Sequence, residues 1–173
     1  MTDGESSARS GGRGSETAPD LDPELFEEIR RIFADRIPFN HLIGLQLTSF
    51  TAERACFRFE MRDDLVGNYV RRTLHGGVIT ATLDATCGMA ALLGSLRRKD
   101  RTDEQKLALF GRLGTIDLRV DFLRPGIGRY FEATGWALRA GKSVAVTRSE
   151  LRNDEGRLIA VGTGTYTVTA PPA

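Results

Sequence analysis

Residues 76–96, GGVITATLDATCGMAALLGSL, limit this chain more than any other stretch. If helical, they are apolar around almost the whole circumference and carry one charged side chain, Asp84. A helix without a polar face is either a membrane span or the buried centre of a fold. A carboxylate near the middle of a span costs roughly 2.5–3.5 kcal/mol on insertion scales. Four glycines and three threonines dilute the segment further. The rest of the chain alternates like soluble strands, so the buried-centre reading is preferred. The remaining residues must then wrap a rod roughly 30 Å long.

They have the pattern to do so. Asp22-Pro23 can cap and open a helix, and Leu25, Phe26, Ile29, Ile32 and Phe33 fall on one helical face. That helix is predicted to end before Pro38. Ile43, Leu45 and Leu47 alternate with smaller or polar residues and read as a strand. Ala55, Phe57, Phe59 and Met61 give a second, with a hairpin around Ser49–Glu53. Arg62 to Leu74 reads as a loop, and residues 97–108 as a charged surface loop. Four strands follow: one through Ile116, Leu118, Val120 and Phe122, then residues 129–139, 143–152 and 157–169. Strands surrounding one apolar helix predict an α+β domain, with a curved antiparallel sheet wrapped around the helix. Residues 1–20 hold few large apolar side chains and are expected to be a disordered tail, leaving 21–173 as one domain.

At 173 residues the chain can bury one core, and a net charge of +1 argues against a broad nucleic-acid-binding face. Cys56 and Cys87 show no metal-ligand spacing, so no metal is expected. Free thiols and the absence of a signal-like segment fit the cytoplasm.

A carboxylate inside an apolar helix needs compensation or a function. As a structural residue, Asp84 would bond backbone or threonine groups and fix packing. His75-Gly76-Gly77 favours function. First-turn N–H groups lack intrahelical partners, glycine lets a carbonyl approach them, and the helix dipole adds positive potential. Such a tip can hold an oxyanion. The plainer reading is a tight turn with a helix-terminal histidine. Asp84 lies roughly 10 Å beyond Gly77 along the axis, too far to share one bond with that tip, and a second copy could bring its own acid there.

The stretch Leu74-His75-Gly76-Gly77-Val78-Ile79-Thr80-Ala81-Thr82-Leu83-Asp84 resembles the signature of hotdog-fold acyl-CoA thioesterases of the phenylacetate-pathway type. Gly114–Pro125 and Arg139-Ala140-Gly141-Lys142-Ser143-Val144-Ala145 also resemble that family. Gly67-Asn68-Tyr69-Val70-Arg71-Arg72 suggests its medium- or long-chain subgroup. The resemblance, over residues 38–169, implies the hotdog fold, here with an extra N-terminal helix, and a homodimer or homotetramer with sites between subunits. It implies Asp84 as general base or nucleophile and Gly77 as the N–H that polarises the thioester. His75 would support the loop or bind near the carbonyl, Asn68 would position substrate or water, and Thr115 would hold the water. Asn68 stands seven residues before the histidine, where several relatives have six.

The predicted reaction is hydrolysis of an acyl-CoA thioester, with no cofactor, nucleic acid or membrane involved. Gly76 and the cations Arg71, Arg72, Arg124, Arg139 and Lys142 are candidates for contact with substrate and CoA phosphates, Arg139 and Lys142 foremost. Phe39, Leu42, Met89 and Phe110 are candidates for an acyl pocket, or simply core. A non-catalytic acyl-CoA sensor and an enoyl-thioester hydratase or dehydratase are the alternatives. The latter commonly uses an Asp/His pair five residues apart, whereas His75 precedes Asp84 by nine.

Overall fold

A computed structural model describes residues 23–97 and 102–169. The expected tail at 1–20 lies outside the described residues. Helix α1 (Pro23–Asp35) places Ile29 and Phe33 in the core. Its successor α2 (Pro38–Ile43) corrects the sequence reading, which continued a strand from Ile43. Pro38 both ends one helix and opens the next at its first position, behind an extended Ile37. Gly44 closes α2 at φ +70, and its N–H donates to His41 O.

Strands β1 (Gln46–Phe50) and β2 (Arg54–Glu60) form the expected hairpin. The segment expected to be a plain loop contains a 3-10 turn (Asp63–Leu65) and a small ladder of β3 (Val66–Asn68) and β4 (Thr73–Leu74). Then comes the long helix, α3 (Gly76–Leu96). The expected surface loop after it contains α4 (Asp103–Ala108). Thr102 and Gln105 cap it reciprocally, each side chain accepting the other's N–H at 3.3 and 3.2 Å respectively. Strands β5 (Gly114–Phe122), β6 (Tyr130–Ala140), β7 (Val144–Asn153) and β8 (Leu158–Thr167) complete the chain.

Six strands form one antiparallel sheet in the order β1-β2-β6-β7-β8-β5, wrapped on α3. Gly135 of β6 lets the sheet touch the helix, since a Cβ there would stand 2.9 Å from the Thr86 carbonyl oxygen. α3 has the length and hydropathy of a membrane span, yet most of it is buried by the sheet. It is not buried on all sides, however. Its C-terminal half is enclosed, but Gly77, Thr80, Ala81, Asp84 and Ala85 keep partial or full exposure. Those positions share one face at helical spacing. The open strip runs from the helix tip to Asp84.

Candidate active site

The tip of α3 is built tightly. His75 is the N-cap, and its Nδ1 accepts the Gly77 N–H at 2.8 Å. The His75 N–H in turn donates to Leu65 O at 2.8 Å. A Cβ at Gly67 would meet the His75 Cα at 2.6 Å, so glycine is what lets β3 lie against the cap. With the imidazole in this position, the Gly77 N–H reaches a carbonyl only if the ring rotates away. Phe122 of β5 stands beside Gly76.

Two turns further on, the Asp84 carboxylate is half-buried. Its Oδ1 accepts two hydroxyl donors, Thr115 of β5 at 3.0 Å and Tyr166 of β8 at 2.8 Å. The phenol also lies 3.0 Å from the Asp84 carbonyl oxygen. Among the described residues, no hydrogen bond engages Oδ2. Tyr166 was absent from the sequence reading. Burial pushes its phenol far above the ordinary value, with the neighbouring Cys87 and Asp84 adding to the effect. It stays protonated and can only donate to a carboxylate. Cys87, one turn along α3, is also pushed upward by burial; its thiol faces Ser149 Oγ at 3.1 Å.

Asp84, Thr115 and Tyr166 open on a cleft of about 380 Å³. Apart from Asn40, its other walls are apolar, from Ile32 and Phe33 of α1, Ile37, Phe39 of α2, and Phe110 and Leu113 after α4. The N-terminal helices thus roof the acid. Of the residues expected to line an acyl pocket, Phe39 and Phe110 do so. Met89 is fully buried core, and Leu42 is exposed without facing this cleft.

A second cleft, about 440 Å³, lies at the tip and gathers Asn68, Arg71, Gly76 and Arg124. Asn68 Oδ1 accepts the Val70 and Arg71 N–H groups at 3.1 and 3.0 Å, so its carboxamide oxygen shapes the loop here. Arg72, at φ +50 in this turn, pairs with Asp63. Arg124 donates to Leu158 O at 2.9 Å. Arg139 and Lys142 stand apart, at the β6–β7 turn. The neighbouring Ala137 and Ala140 pack where a Gly94 Cβ would be, near the other end of α3. From Gly77 to Gly94 is roughly 25 Å along the axis. One protomer therefore joins Asp84 to Thr115, and the tip to Arg71 and Arg124. It does not bring these two groups, or Arg139 and Lys142, into one place.

A family model described as thioesterase superfamily matches residues 72–160, from the loop before the tip into β8. The chain belongs to that superfamily. A medium/long-chain acyl-CoA thioesterase, YigI of Escherichia coli (strain K12), is 43% identical over 141 residues, which is 81% of this chain and 91% of that protein. A crystal structure from Shewanella oneidensis, of a protein related to the thioesterase superfamily, superposes with a TM-score of 0.81 at 39% identity. It covers 86% of this chain and 99% of that one. A mutant of the phenylacetic acid degradation protein PaaI from Thermus thermophilus gives 0.60 at 25% identity, over 76% and 98%. The hotdog arrangement expected from the sequence is the one observed.

Proposed function

We propose that this member of the superfamily hydrolyses medium- or long-chain acyl-CoA thioesters by an Asp84-dependent route. The observation that carries the reading is a carboxylate with one oxygen held by two hydroxyls and the other unbonded among the described residues, at the mouth of a mostly apolar cleft. The YigI relatives carry the name of the same reaction. Water sits between Asp84 and the thioester carbon. Its proton passes to the carboxylate as its oxygen adds to that carbon. The carbonyl electron pair moves to oxygen and is held by first-turn N–H groups at Gly76 and Gly77. Collapse breaks the C–S bond, and the departing thiolate takes up a proton. His75 acts as a latch on the Gly77 N–H, releasing it when the carbonyl arrives.

The two clefts become one site if two copies pair. The sheet leaves β5 at one edge. Ile116 and Phe122 on that strand are 54% and 55% exposed, and Tyr69 and Val70 on the tip loop are 86% and 75% exposed. Free edges and apolar patches of this kind favour self-association. In the homodimer, which can pair again into a tetramer, the acyl tail lies under α1 and α2 of one copy. The thioester lies between that copy's Asp84 and the tip of the second. The CoA phosphates then rest near the second copy's Arg71 and Arg124. Arg139 and Lys142 reach this tip only from another copy. The free thiols and the buried apolar helix suit a cytoplasmic enzyme without a membrane or nucleic-acid partner.

A panel of acyl-CoA thioesters of increasing length, followed with a thiol reagent, tests the reading. Release of free CoA is expected, fastest for medium or long straight chains. Tight binding across the panel without thiol release would identify a sensor instead. Consumption of an enoyl-CoA with the thioester intact would identify a hydratase. In the same assay, alanine at both Arg71 and Arg124 is expected to raise KM roughly tenfold, with kcat changed far less. An unchanged KM would remove these cations from the phosphate site.

A further inference from the structure

The two carboxylate oxygens of Asp84 have different surroundings. Both hydroxyl donors meet at Oδ1. They come from strands β5 and β8, which pair directly, with Thr115 opposite Tyr166 in the register. The carboxylate is thus pinned from the sheet, across the gap between strand and helix. Tyr166 can reach it because of Gly164, two residues earlier on the same face. A Cβ at Gly164 would stand 2.6 Å from the tyrosine ring, so the ring lies flat along the strand over the missing side chain. Tyr166 is 2% exposed, and water competes little for its proton.

We infer that Tyr166 is a positioning residue for Asp84, donating with Thr115 to Oδ1 so that Oδ2 alone takes the proton from water. The inference rests on the Asp84-dependent hydrolysis proposed above. The two donors on one oxygen hold the carboxylate from the sheet side and leave Oδ2 to the cleft. Few other charges compete at this point. On α3, Cys87 is the neighbouring titratable group, and its thiol is held neutral by burial. β8 supplies Tyr166 and β5 supplies Thr115. The walls from α1, α2 and the segment after α4 are uncharged, with Asn40 their polar member.

Tyr166→Phe removes the donor and keeps the ring. If the inference holds, kcat falls roughly 10- to 100-fold, as expected for a lost hydrogen bond to a charged group, while KM stays within about threefold. Thr115→Val lowers kcat in the same way, the double variant lowers it further, and Tyr166→Phe changes the residual turnover no more once Asp84 is asparagine. Should Tyr166→Phe fold poorly, Thr115→Val carries the test alone, with the same fall in kcat at a held KM. Unchanged kcat in the folded Tyr166 variant, with Asp84→Asn inactive, overturns the positioning role and leaves the hydrolytic reading intact. A rise in KM with kcat unchanged also overturns it, because the ring would then merely line the cleft. Full turnover by Asp84→Asn would instead remove the reading on which the inference rests.

Discussion

Asp84→Asn is expected to lower kcat for acyl-CoA hydrolysis roughly 100- to 10,000-fold while leaving substrate affinity within about tenfold. The amide has nearly the same shape as the carboxylate, and its oxygen can still accept from Thr115 and Tyr166, which now meet Oδ1 at 3.0 and 2.8 Å. What it loses is the second, basic oxygen. Packing therefore stays, and thermal stability is expected within a few degrees of the parent. Asp84→Ala removes the anchor for both hydroxyls as well, leaving the buried Tyr166 phenol with the Asp84 main-chain oxygen, 3.0 Å away, and the neighbouring Thr115 hydroxyl. It is expected to lose turnover equally and to lose some stability besides. The comparison separates chemistry from packing. Parent-like turnover in the asparagine variant, measured by thiol release at saturating substrate, would eliminate Asp84 as the base.

The features legible in the sequence are those carried by strong local patterns. The helix of residues 76–96 was legible because its apolar run is too long for a strand and its single acid too central for a membrane. The strands after it were legible from alternation and from turns such as Asn153–Gly156. The missed elements are short ones whose signal lies in capping. α2 is six residues long, under two turns, and Pro38 reads as an end although it is also a beginning. α4 carries its cap openly in Thr102-Asp103-Glu104-Gln105, but the surrounding charges read as a loop. Tyr166 escaped because its function depends on pairing between β5 and β8, 51 positions apart at Thr115 and Tyr166. A tyrosine on the buried face of a strand is ordinary core until something shows what its hydroxyl meets. The spacing Gly164-Thr165-Tyr166 was the one available hint, since glycine and an aromatic two apart share a strand face.

The open strip on α3 also has a physical origin that the sequence concealed. An all-apolar circumference predicted burial everywhere, yet the sheet encloses only the C-terminal half fully. Towards the N-terminus the exposed residues are Gly, Thr and Ala, which are small enough to be left beside a cleft at little cost. Larger side chains at Ala81 and Ala85 would fill the cleft beside Asp84. The low bulk of this face, and not its polarity, is what leaves that cleft open.

Two inactive variants are expected to restore activity when assembled together, and this tests whether the site spans two copies. Asp84→Asn lacks the base. Gly77→Pro lacks the N–H at the tip, and proline is tolerated in a helix's first turn. In the proposed homodimer, either variant alone is then defective at both sites. In the mixed dimer, a site composed of Asp84 from one copy and the tip from the other sorts the defects unequally. One site carries both, and the other carries neither. Co-refolding equal amounts gives about half mixed dimers with one intact site of two, so about a quarter of parental activity should return. If each site drew both groups from a single chain, every site in the mixture would keep one defect and none would recover. The spacing already argues for the shared arrangement, because Gly77 and Asp84 on one α3 are roughly 10 Å apart along the axis. A thioester carbonyl must meet base and oxyanion donors within hydrogen-bond reach of one carbon, which that separation does not allow. No recovery across a range of mixing ratios, with mixed dimers demonstrated by mass, would break the two-copy site while leaving Asp84 in place as the base.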